Sequence, residues 1–393
     1  MNNFNYFTPT KIVFGKGTEE QTGKLVKMQH CKKVLLHYGG GSVKRSGLLD
    51  RVKSYLDQEQ IAYVELGGVV PNPRLSLVYK GIELAKKENV DFILAVGGGS
   101  VIDSAKAIGY GVANEGDVWE LYDRKRKAEA CLPIGVILTI AATGSEMSDS
   151  SVITKEEGWI KRGYSSDYAR PVFAIMNPEL TMTLPDYQTA CGCTDILMHT
   201  MERYFTNGGN MELTDGIAEA LMRTVMKNAR ILVKNPQDYD ARAEVMWAGS
   251  LSHNGLTGCG NHGNDFATHG MEHEMGGLFD VAHGAGLAAI WGSWARYVYL
   301  DCLDRFEKFA VQVMGVAPKG KTSRQIALEG IEALEAFFRS IHMPVSMTEL
   351  GITPTEEELK TMAQKCAIAA GGHKGSAKVL YEKDMLAIYE MAR

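Results

Sequence analysis

Three histidines lie close together at positions 269, 273 and 283, in a chain that contains ten histidines in all. On one straight helix, His269 and His283 would lie roughly 21 Å apart along the axis, whereas imidazole nitrogens bind a metal ion at about 2 Å. The adjacent Gly276 and Gly277 predict a break that divides this stretch into helix, turn and helix, so that the two rings meet. A single histidine is more often a packing or surface residue, but this density favours a metal site.

Asp195 and His199 add a carboxylate and an imidazole four residues apart, a spacing that places both on one face of a helix. Alone, such a pair is common by chance. Combined with His269 and His283, it supplies one oxygen and three nitrogens, a set that suits Fe(II) or Zn(II), and also Mn or Co, rather than Mg or Ca. We therefore predict one divalent metal ion, Fe(II) or Zn(II), held by these four side chains.

The elements that must position these residues divide the chain into two parts. Up to about residue 176, short β-rich runs alternate with amphipathic helical runs, which indicates an α/β domain with a mostly parallel sheet. After Pro185 long helical runs replace the strands. We predict an α/β domain over residues 1–184 and an all-α domain over residues 185–393. Predicted strands are 11–14, 34–38, 63–66, 92–96, 134–139 and 172–176, predicted helices include 46–58, 74–89 and 101–112, and residues 151–165 predict a hairpin added to the sheet layer.

A glycine run, Gly97-Gly98-Gly99-Ser100, comes directly after predicted strand 92–96 and opens a helix that carries Asp103. Free N–H groups and the helix dipole at such a position bind anions, typically a pyrophosphate. The run is not the GxGxxG fingerprint, so a turn that merely needs positive φ is the alternative. Hydroxyl groups follow another predicted strand, where they suit hydrogen bonds to phosphate or nicotinamide. The predicted dinucleotide contacts are Gly97, Gly98, Gly99, Ser100, Asp103, Thr139, Thr143 and Ser145.

A second run, Gly39-Gly40-Gly41-Ser42, follows predicted strand 34–38 and is succeeded by Lys44 and Arg45. Sheets that select NAD usually place an acid at the end of the second strand, where it holds the ribose 2′-hydroxyl. No acid occurs between residues 34 and 45. Small residues followed by cations leave room and charge for a 2′-phosphate, so we predict NADP(H) rather than NAD(H), bound by Gly39, Gly40, Gly41, Ser42 and Lys44.

Composition narrows the class of protein. The chain of 393 residues is 45% hydrophobic and 23% charged, with a net charge of −5, values typical of an ordinary globular protein for which neither nucleic acid nor membrane is an expected partner. The opening residues lack the pattern of a signal peptide. Seven scattered cysteines fit reduced thiols. We therefore expect a cytoplasmic protein.

Taken together, these residues resemble the iron-containing (group III) alcohol dehydrogenase family, and the resemblance runs from the first residues to the C-terminal helices. Within that family, the opening residues and the second glycine run are most similar to the NADPH-dependent butanol dehydrogenase and aldehyde reductase branch. The motifs that carry the resemblance are Gly97–Ser100 with Asp103 and Lys106, Thr139 with Thr143-Gly-Ser145-Glu146, Asp195 with His199, His269 with His273 and His283, and Pro71-Asn72-Pro73.

The resemblance implies a dehydroquinate synthase-like architecture, in which a Rossmann-like dinucleotide domain precedes a helical metal domain and the active site lies between them. It implies the same four metal ligands, and it places His273 beside the metal without binding it. Asn72 and Lys161 are implied as further cofactor contacts. The family commonly forms dimers or larger assemblies, so we expect a homodimer or higher homo-oligomer that acts on a small-molecule aldehyde or alcohol.

The predicted reaction is aldehyde + NADPH + H⁺ ⇌ primary alcohol + NADP⁺, with the metal polarising the carbonyl and His273 relaying a proton to the alkoxide. The alternative role of His273 is to support the metal ligands without transferring a proton. Competing functions are an NAD-dependent polyol dehydrogenase of the glycerol type, a lyase of the dehydroquinate-synthase type, a metal-dependent hydrolase with purely structural glycine loops, and a non-catalytic metal-binding protein.

Overall fold

Buried apolar strands in the first half of the chain form a parallel sheet, in a computed structural model that describes residues 1–207 and 209–393. The described chain divides into two compact units. The sheet unit is Phe7–Thr183, and the helical unit is Leu184–Arg393 together with Met1–Tyr6. The first six residues therefore belong with the helices, where the Asn2 amide donates to the Gly260 carbonyl at 3.0 Å.

The main sheet of the described residues has six strands in the order β1-β8-β5-β4-β2-β3, and every neighbouring pair is parallel. Its central strands are buried along their whole length, as expected where helices cover both faces of a parallel sheet. In chain order the strands are β1 (Lys11–Phe14), β2 (Lys33–Gly39), β3 (Ala62–Val69), β4 (Phe92–Gly97), β5 (Ile134–Leu138), β6 (Ser150–Lys155), β7 (Ile160–Ser165) and β8 (Phe173–Met176).

Amphipathic helices connect these strands and pack their apolar faces on the sheet. One core cluster joins Val52 and Leu56 of a covering helix to Leu36 and Val96 of the sheet. The helices of the sheet unit are α1 (Thr22–Lys27), α2 (Ser42–Arg45), α3 (Leu48–Gln58), α4 (Leu75–Lys87), α5 (Gly99–Ala113) and α6 (Trp119–Tyr122).

The predicted hairpin forms, but it is not part of the main sheet, so that part of the prediction is wrong. Strands β6 and β7 form a separate antiparallel two-stranded sheet around a turn at Gly158 with φ of +79°, and an isolated bridge joins Thr154 of β6 to Arg74. The hairpin is instead held by helix α5, because the Val152 amide donates to the Asp103 carboxylate at 3.0 Å and the Ser151 hydroxyl donates to the Asp103 carbonyl at 2.9 Å.

The helical unit packs around large aromatic side chains. The rings of Phe205 and Phe306 stack with centroids 4.3 Å apart, and Trp291 and Trp294 are fully buried beside them. The helices are α7 (Asp186–Tyr204), α8 (Glu212–Lys234), α9 (Tyr239–His253), α10 (Ala267–Phe279), α11 (His283–Val298), α12 (Leu303–Gln312), α13 (Ser323–Ser340), α14 (Met347–Leu350), α15 (Glu356–Ala369) and α16 (Glu382–Ala392).

The predicted fold class, an α/β region with a parallel sheet followed by a helical region, is confirmed. Among the helices of residues 1–207 and 209–393, none combines the length and apolar character needed to cross a lipid bilayer.

Candidate metal and cofactor sites

Helix α7 carries the first part of the candidate metal site. Asp195 and His199 lie one turn apart, and Glu202 follows within another turn, so all three project from one face of the helix. All three side chains are buried. Acidic groups at this depth are rare unless they are paired or bind a metal.

Helices α10 and α11 carry the other two predicted ligands. The predicted helix break at Gly276 and Gly277 is wrong. Both glycines lie inside α10, which continues to Phe279. The reversal occurs at Asp280, whose φ of +50° is left-handed, a conformation that aspartate tolerates better than most residues. The reversal brings the rings of His269 and His283 to a centroid separation of 5.2 Å.

Asp195, His199, His269 and His283, here called the ligand cluster, converge on one carboxylate oxygen. Asp195 Oδ1 lies 3.4 Å from His199 Nδ1, 3.5 Å from His269 Nε2 and 3.7 Å from His283 Nε2. The candidate ligand atoms of the first three all lie within 4.8 Å of one another, and His283 joins them through Asp195. The structure therefore brings together all four side chains that the sequence predicts as ligands.

The chemistry of these atoms fits a divalent cation. Asp195 Oδ1, His199 Nδ1 and His269 Nε2 are buried and have no hydrogen-bond partner among the described residues. An unpaired buried polar atom costs about 1–3 kcal/mol, so three that face one another are unfavourable in the protein alone. One oxygen and three imidazole nitrogens around a point are a donor set that Fe(II) or Zn(II) would satisfy.

The electrostatics of the ligand cluster also favour a bound cation. The pKa of Asp195 lies below its ordinary value, because the surrounding imidazoles of His199, His269 and His283 outweigh burial, which alone would raise it. Burial holds the pKa of His199 well below its ordinary value, so this ring is neutral and offers a nitrogen lone pair. The pKa of His269 is raised to about 9, against the effect of burial, by Glu202 and Asp195. Two acids, Asp195 and Glu202, therefore favour positive charge at this point.

Two glutamates that sequence reasoning missed hold the ligand imidazoles from behind. Glu202 Oε2 accepts from His269 Nδ1, and Glu272 Oε2 accepts from His283 Nδ1. Their spacing was the available signal, since Glu202 lies seven residues after Asp195 and Glu272 lies three after His269, both on the ligand-bearing face of a helix.

His273 lies at the rim of the ligand cluster. Its ring centroid is 5.8 Å from that of His283 and 6.5 Å from that of His269, and its side chain is partly exposed. A second neighbour is His253, whose ring lies 4.0 Å from that of His199 and accepts from Arg203 Nη2 at 3.2 Å. The placement of His273 is compatible with the predicted proton relay, which stays a prediction.

In the sheet unit, the predicted glycine loop Gly97–Ser100 joins β4 to the start of α5. Its glycines are required by close packing, because a Cβ at Gly99 would lie 2.3 Å from the Thr143 side chain and a Cβ at Gly98 would lie 3.0 Å from Ile140. Thr143 and Thr139 follow β5, which neighbours β4 in the sheet. Because parallel strands end at one edge, this edge presents a helix N-terminus beside hydroxyl groups.

Asp103 and Lys106, one turn further along α5, form a closed network with the loop after β5. Both carboxylate oxygens of Asp103 accept protein hydrogen bonds, from Ser145 Oγ at 2.6 Å and from the Val152 amide. Lys106 Nζ donates to the carbonyls of Ser145, Ser148 and Ser150, each at 2.8 Å. These bonds shape the loop, and direct contacts of Asp103 and Ser145 with the cofactor stay predictions.

The second glycine run lies at the end of β2 and leads into α2. Space is available there, because a Cβ at Gly40 would meet nothing within 4 Å. Lys44 is exposed, with Nζ 5.1 Å from the centre of the Tyr38 ring. The acid on the neighbouring strand, Glu65, pairs with Lys53 at 2.6 Å and accepts from the Tyr38 hydroxyl at 3.0 Å.

The remaining predicted cofactor residues, Asn72 and Lys161, lie on segments that meet. Asn72 has a left-handed φ of +53° between two prolines. The Thr154 amide donates to the Pro73 carbonyl at 2.8 Å, and Thr154 is the hairpin partner of Lys161. The hairpin thus ties the lysine strand to the Asn72 loop.

Comparison with known proteins gives matches over nearly the whole chain. Residues 9–178 match the family described as iron-containing alcohol dehydrogenase, and residues 189–393 match the C-terminal domain of the Fe-containing alcohol dehydrogenase family. The NADH-dependent butanol dehydrogenase A of Clostridium acetobutylicum is 41% identical over 99% of both chains. The NADPH-dependent aldehyde reductase YqhD of Escherichia coli is 35% identical over 90% of both chains.

A solved structure of a similar protein has the same fold. The crystal structure of NADH-dependent butanol dehydrogenase A from Thermotoga maritima superposes with a TM-score of 0.95 at 40% identity, over 100% of this chain and 99% of that one.

Proposed function

Since the chain belongs to the iron-containing alcohol dehydrogenase family, we propose that it is a metal-dependent, NADP(H)-dependent reductase of short primary aldehydes, with Asp195, His199, His269 and His283 as the metal ligands. Family membership supports an oxidoreductase that interconverts alcohols and aldehydes, and it implies a nicotinamide cofactor and an iron or other divalent metal. Family membership also favours a dehydrogenase over a lyase, a hydrolase or a non-catalytic metal-binding protein.

The observation that carries the metal assignment is the convergence of His199 Nδ1 and His269 Nε2, both buried and without a hydrogen-bond partner, on Asp195 Oδ1. A divalent ion in this cluster supplies Lewis-acid polarisation of a carbonyl oxygen, and the reduced nicotinamide supplies the hydride. The protein residues supply position and proton transfer. His199 and His269 offer nitrogens from two different helices, which fixes the site in space.

His273 is the proposed proton relay. It stands at the rim within ring-contact distance of His269 and His283, and it is partly exposed, so it can exchange protons with water. Replacing His273 with alanine is expected to lower the rate and to change its pH profile while the bound metal is retained. An unchanged rate and profile would remove the relay.

The preference for NADP(H) rests on the end of β2, where residues 34–45 contain no acid and Lys44 and Arg45 follow the glycine run. The nearby Glu65 is already engaged by Lys53 and Tyr38. The relatives carry both preferences in their names, NADH for the butanol dehydrogenases and NADPH for the aldehyde reductase. The ratio of kcat/KM for NADPH and NADH with one aldehyde decides between them.

The decisive experiment uses the purified full chain. Metal is removed with a chelator, Fe(II) or Zn(II) is added back, and oxidation of NADPH by butyraldehyde is followed by absorbance. Elemental analysis gives the metal content of each sample. Light scattering on the same protein tests the predicted dimer or larger assembly. We expect turnover only with metal. Equal turnover in the metal-depleted sample would refute the proposed Lewis-acid site.

A further inference from the structure

We propose that Glu202 and Glu272 are positioning residues of the ligand cluster, which hold His269 and His283 with the proton on Nδ1 and so set the affinity of the site for its metal. The inference rests on the proposed metal ligation and extends it to residues that do not bind the ion. Both glutamates are fully buried in the helical unit.

Glu202 makes two contacts with the same residue. Its Oε1 accepts from the backbone N–H of His269 at 3.1 Å, and its Oε2 accepts from His269 Nδ1. His269 is the third residue of α10, where the backbone N–H has no partner within the helix. Glu202 therefore fixes both the start of the helix and the orientation of the ring it carries.

Glu272 links α10 to α11. Its Oε2 accepts from His283 Nδ1 across the reversal at Asp280. Room for its side chain depends on Gly286, one turn along α11, where a Cβ would lie 3.0 Å from Glu272 Cγ and 3.2 Å from Oε1. A glycine on the facing helix thus accommodates this carboxylate beside the ligand ring.

The chemical consequence follows from the tautomer. A carboxylate can only accept, so it keeps the proton on Nδ1 and leaves the lone pair on Nε2, the atom that faces Asp195 in both rings. A negative charge behind the ring also raises its basicity toward a cation. His199 differs, because its Nδ1 is the nitrogen nearest Asp195.

The test is the affinity of the metal-free full chain for Zn(II), measured by competition with a chromophoric chelator, and the absorption spectrum of the Co(II)-substituted protein. The variants are Glu202→Gln and Glu272→Gln, which keep the side-chain shape but remove the charge. The matched control is Glu274→Gln, a buried glutamate on α10 two residues beyond Glu272.

We expect each of the two variants to bind Zn(II) roughly 10–100-fold more weakly and to show a changed Co(II) spectrum, whereas Glu274→Gln binds as the unaltered chain does. Unaltered affinity and spectrum in both glutamine variants would overturn the proposal. If His283→Ala also binds Zn(II) with full affinity, the metal assignment itself fails, which separates the two ideas.

A second perturbation covers the case in which a glutamine variant does not fold. Gly286→Ala keeps every charge but crowds Glu272, so we expect a smaller loss of Zn(II) affinity and a shifted Co(II) spectrum. If Gly286→Ala folds and leaves both unchanged while Glu272→Gln is unfolded, Glu272 acts on the fold alone and the proposal for it is wrong.

Discussion

The closed network of Asp103 and Lys106 and the ligand cluster around Asp195 are both buried groups of charged residues, but they are satisfied in opposite ways. Lys106 is completely buried and reaches three carbonyls, while both oxygens of Asp103 accept protein hydrogen bonds. In the ligand cluster, three buried atoms that face one another lack any hydrogen-bond partner in the described residues. Burial of charge therefore does not by itself mark a site, whereas convergent unsatisfied atoms do.

The largest expected effect comes from Asp195→Ala, which removes the oxygen shared by all three imidazoles. Loss of Lewis-acid stabilisation worth several kcal/mol should lower kcat/KM by roughly 10³-fold. Steady-state kinetics and elemental analysis check this, and thermal unfolding of the metal-free variant should show no loss of stability. An active variant with bound metal would break the contrast between the two clusters.

Lys106→Met should instead cost stability. The change leaves the carbonyls of Ser145, Ser148 and Ser150 without the donor that Lys106 Nζ supplies, and a buried polar group left unpaired costs about 1–3 kcal/mol. Urea unfolding measures the loss, and Zn(II) affinity of the folded fraction should be unaltered. If the variant is as stable as the parent chain, the network of Asp103 and Lys106 does not stabilise the fold.

Stability should also fall with acid because of His37, a buried ring in β2. His37 Nδ1 donates to the Leu66 carbonyl at 2.8 Å, and Nε2 accepts from Ser104 Oγ at 2.9 Å, so the fold holds the neutral form. Burial lowers the pKa of His37 to about 4. The unfolded chain takes up a proton near pH 6.5 and the folded chain does not, so stability decreases from about pH 6.5 down to about pH 4 by on the order of 3 kcal/mol.

Urea unfolding at several pH values measures this slope, and His37→Gln is the matched variant because an amide can donate and accept without titrating. In the variant, the free energy of unfolding should lack the decrease between about pH 6.5 and pH 4 that is assigned to His37. A slope identical to that of the parent chain would show that His37 does not titrate in this range.

The smallest expected effect is that of Lys44→Ala, which touches neither buried group. Lys44 is exposed, so its attraction for a 2′-phosphate is screened and worth about 1 kcal/mol, or roughly fivefold. We expect KM for NADPH to rise while KM for NADH and the metal content stay unchanged. Equal changes with both cofactors would argue against a 2′-phosphate contact.

The sequence predicted most of the fold because its elements are strongly patterned. Strand Lys11–Phe14 and the end of helix Leu48–Gln58 lie where predicted, since β-rich and amphipathic runs are local signals. The pairing of β1 with β8, 162 residues apart at Lys11 and Phe173, depends on tertiary packing and has no local signal. The reversal at Asp280 was placed four residues early, because glycines inside a buried helix look like glycines in a turn.

In the candidate site, too, some residues could be predicted from the sequence and others could not. The four candidate ligands, which the structure brings together, were predicted from metal-binding residue types at helical spacing. Glu202 and Glu272 were missed because glutamate is a common residue and its position alone is not distinctive. The contact of Asp103 with the cofactor stays a prediction: the sequence shows its place after the glycine loop, and the structure adds the Ser145 and Val152 donors to its oxygens.

The position of Met1–Tyr6 has a consequence for synthesis on the ribosome. Asn2 donates to the Asn261 carbonyl, 259 residues further along the chain, so the opening segment emerges long before its partner exists. The sheet unit, by contrast, is complete by residue 183 and can fold as soon as it is released. Residues Met1–Tyr6 are therefore synthesised before the sheet unit but can dock only after the helical unit around Asn261 has been made.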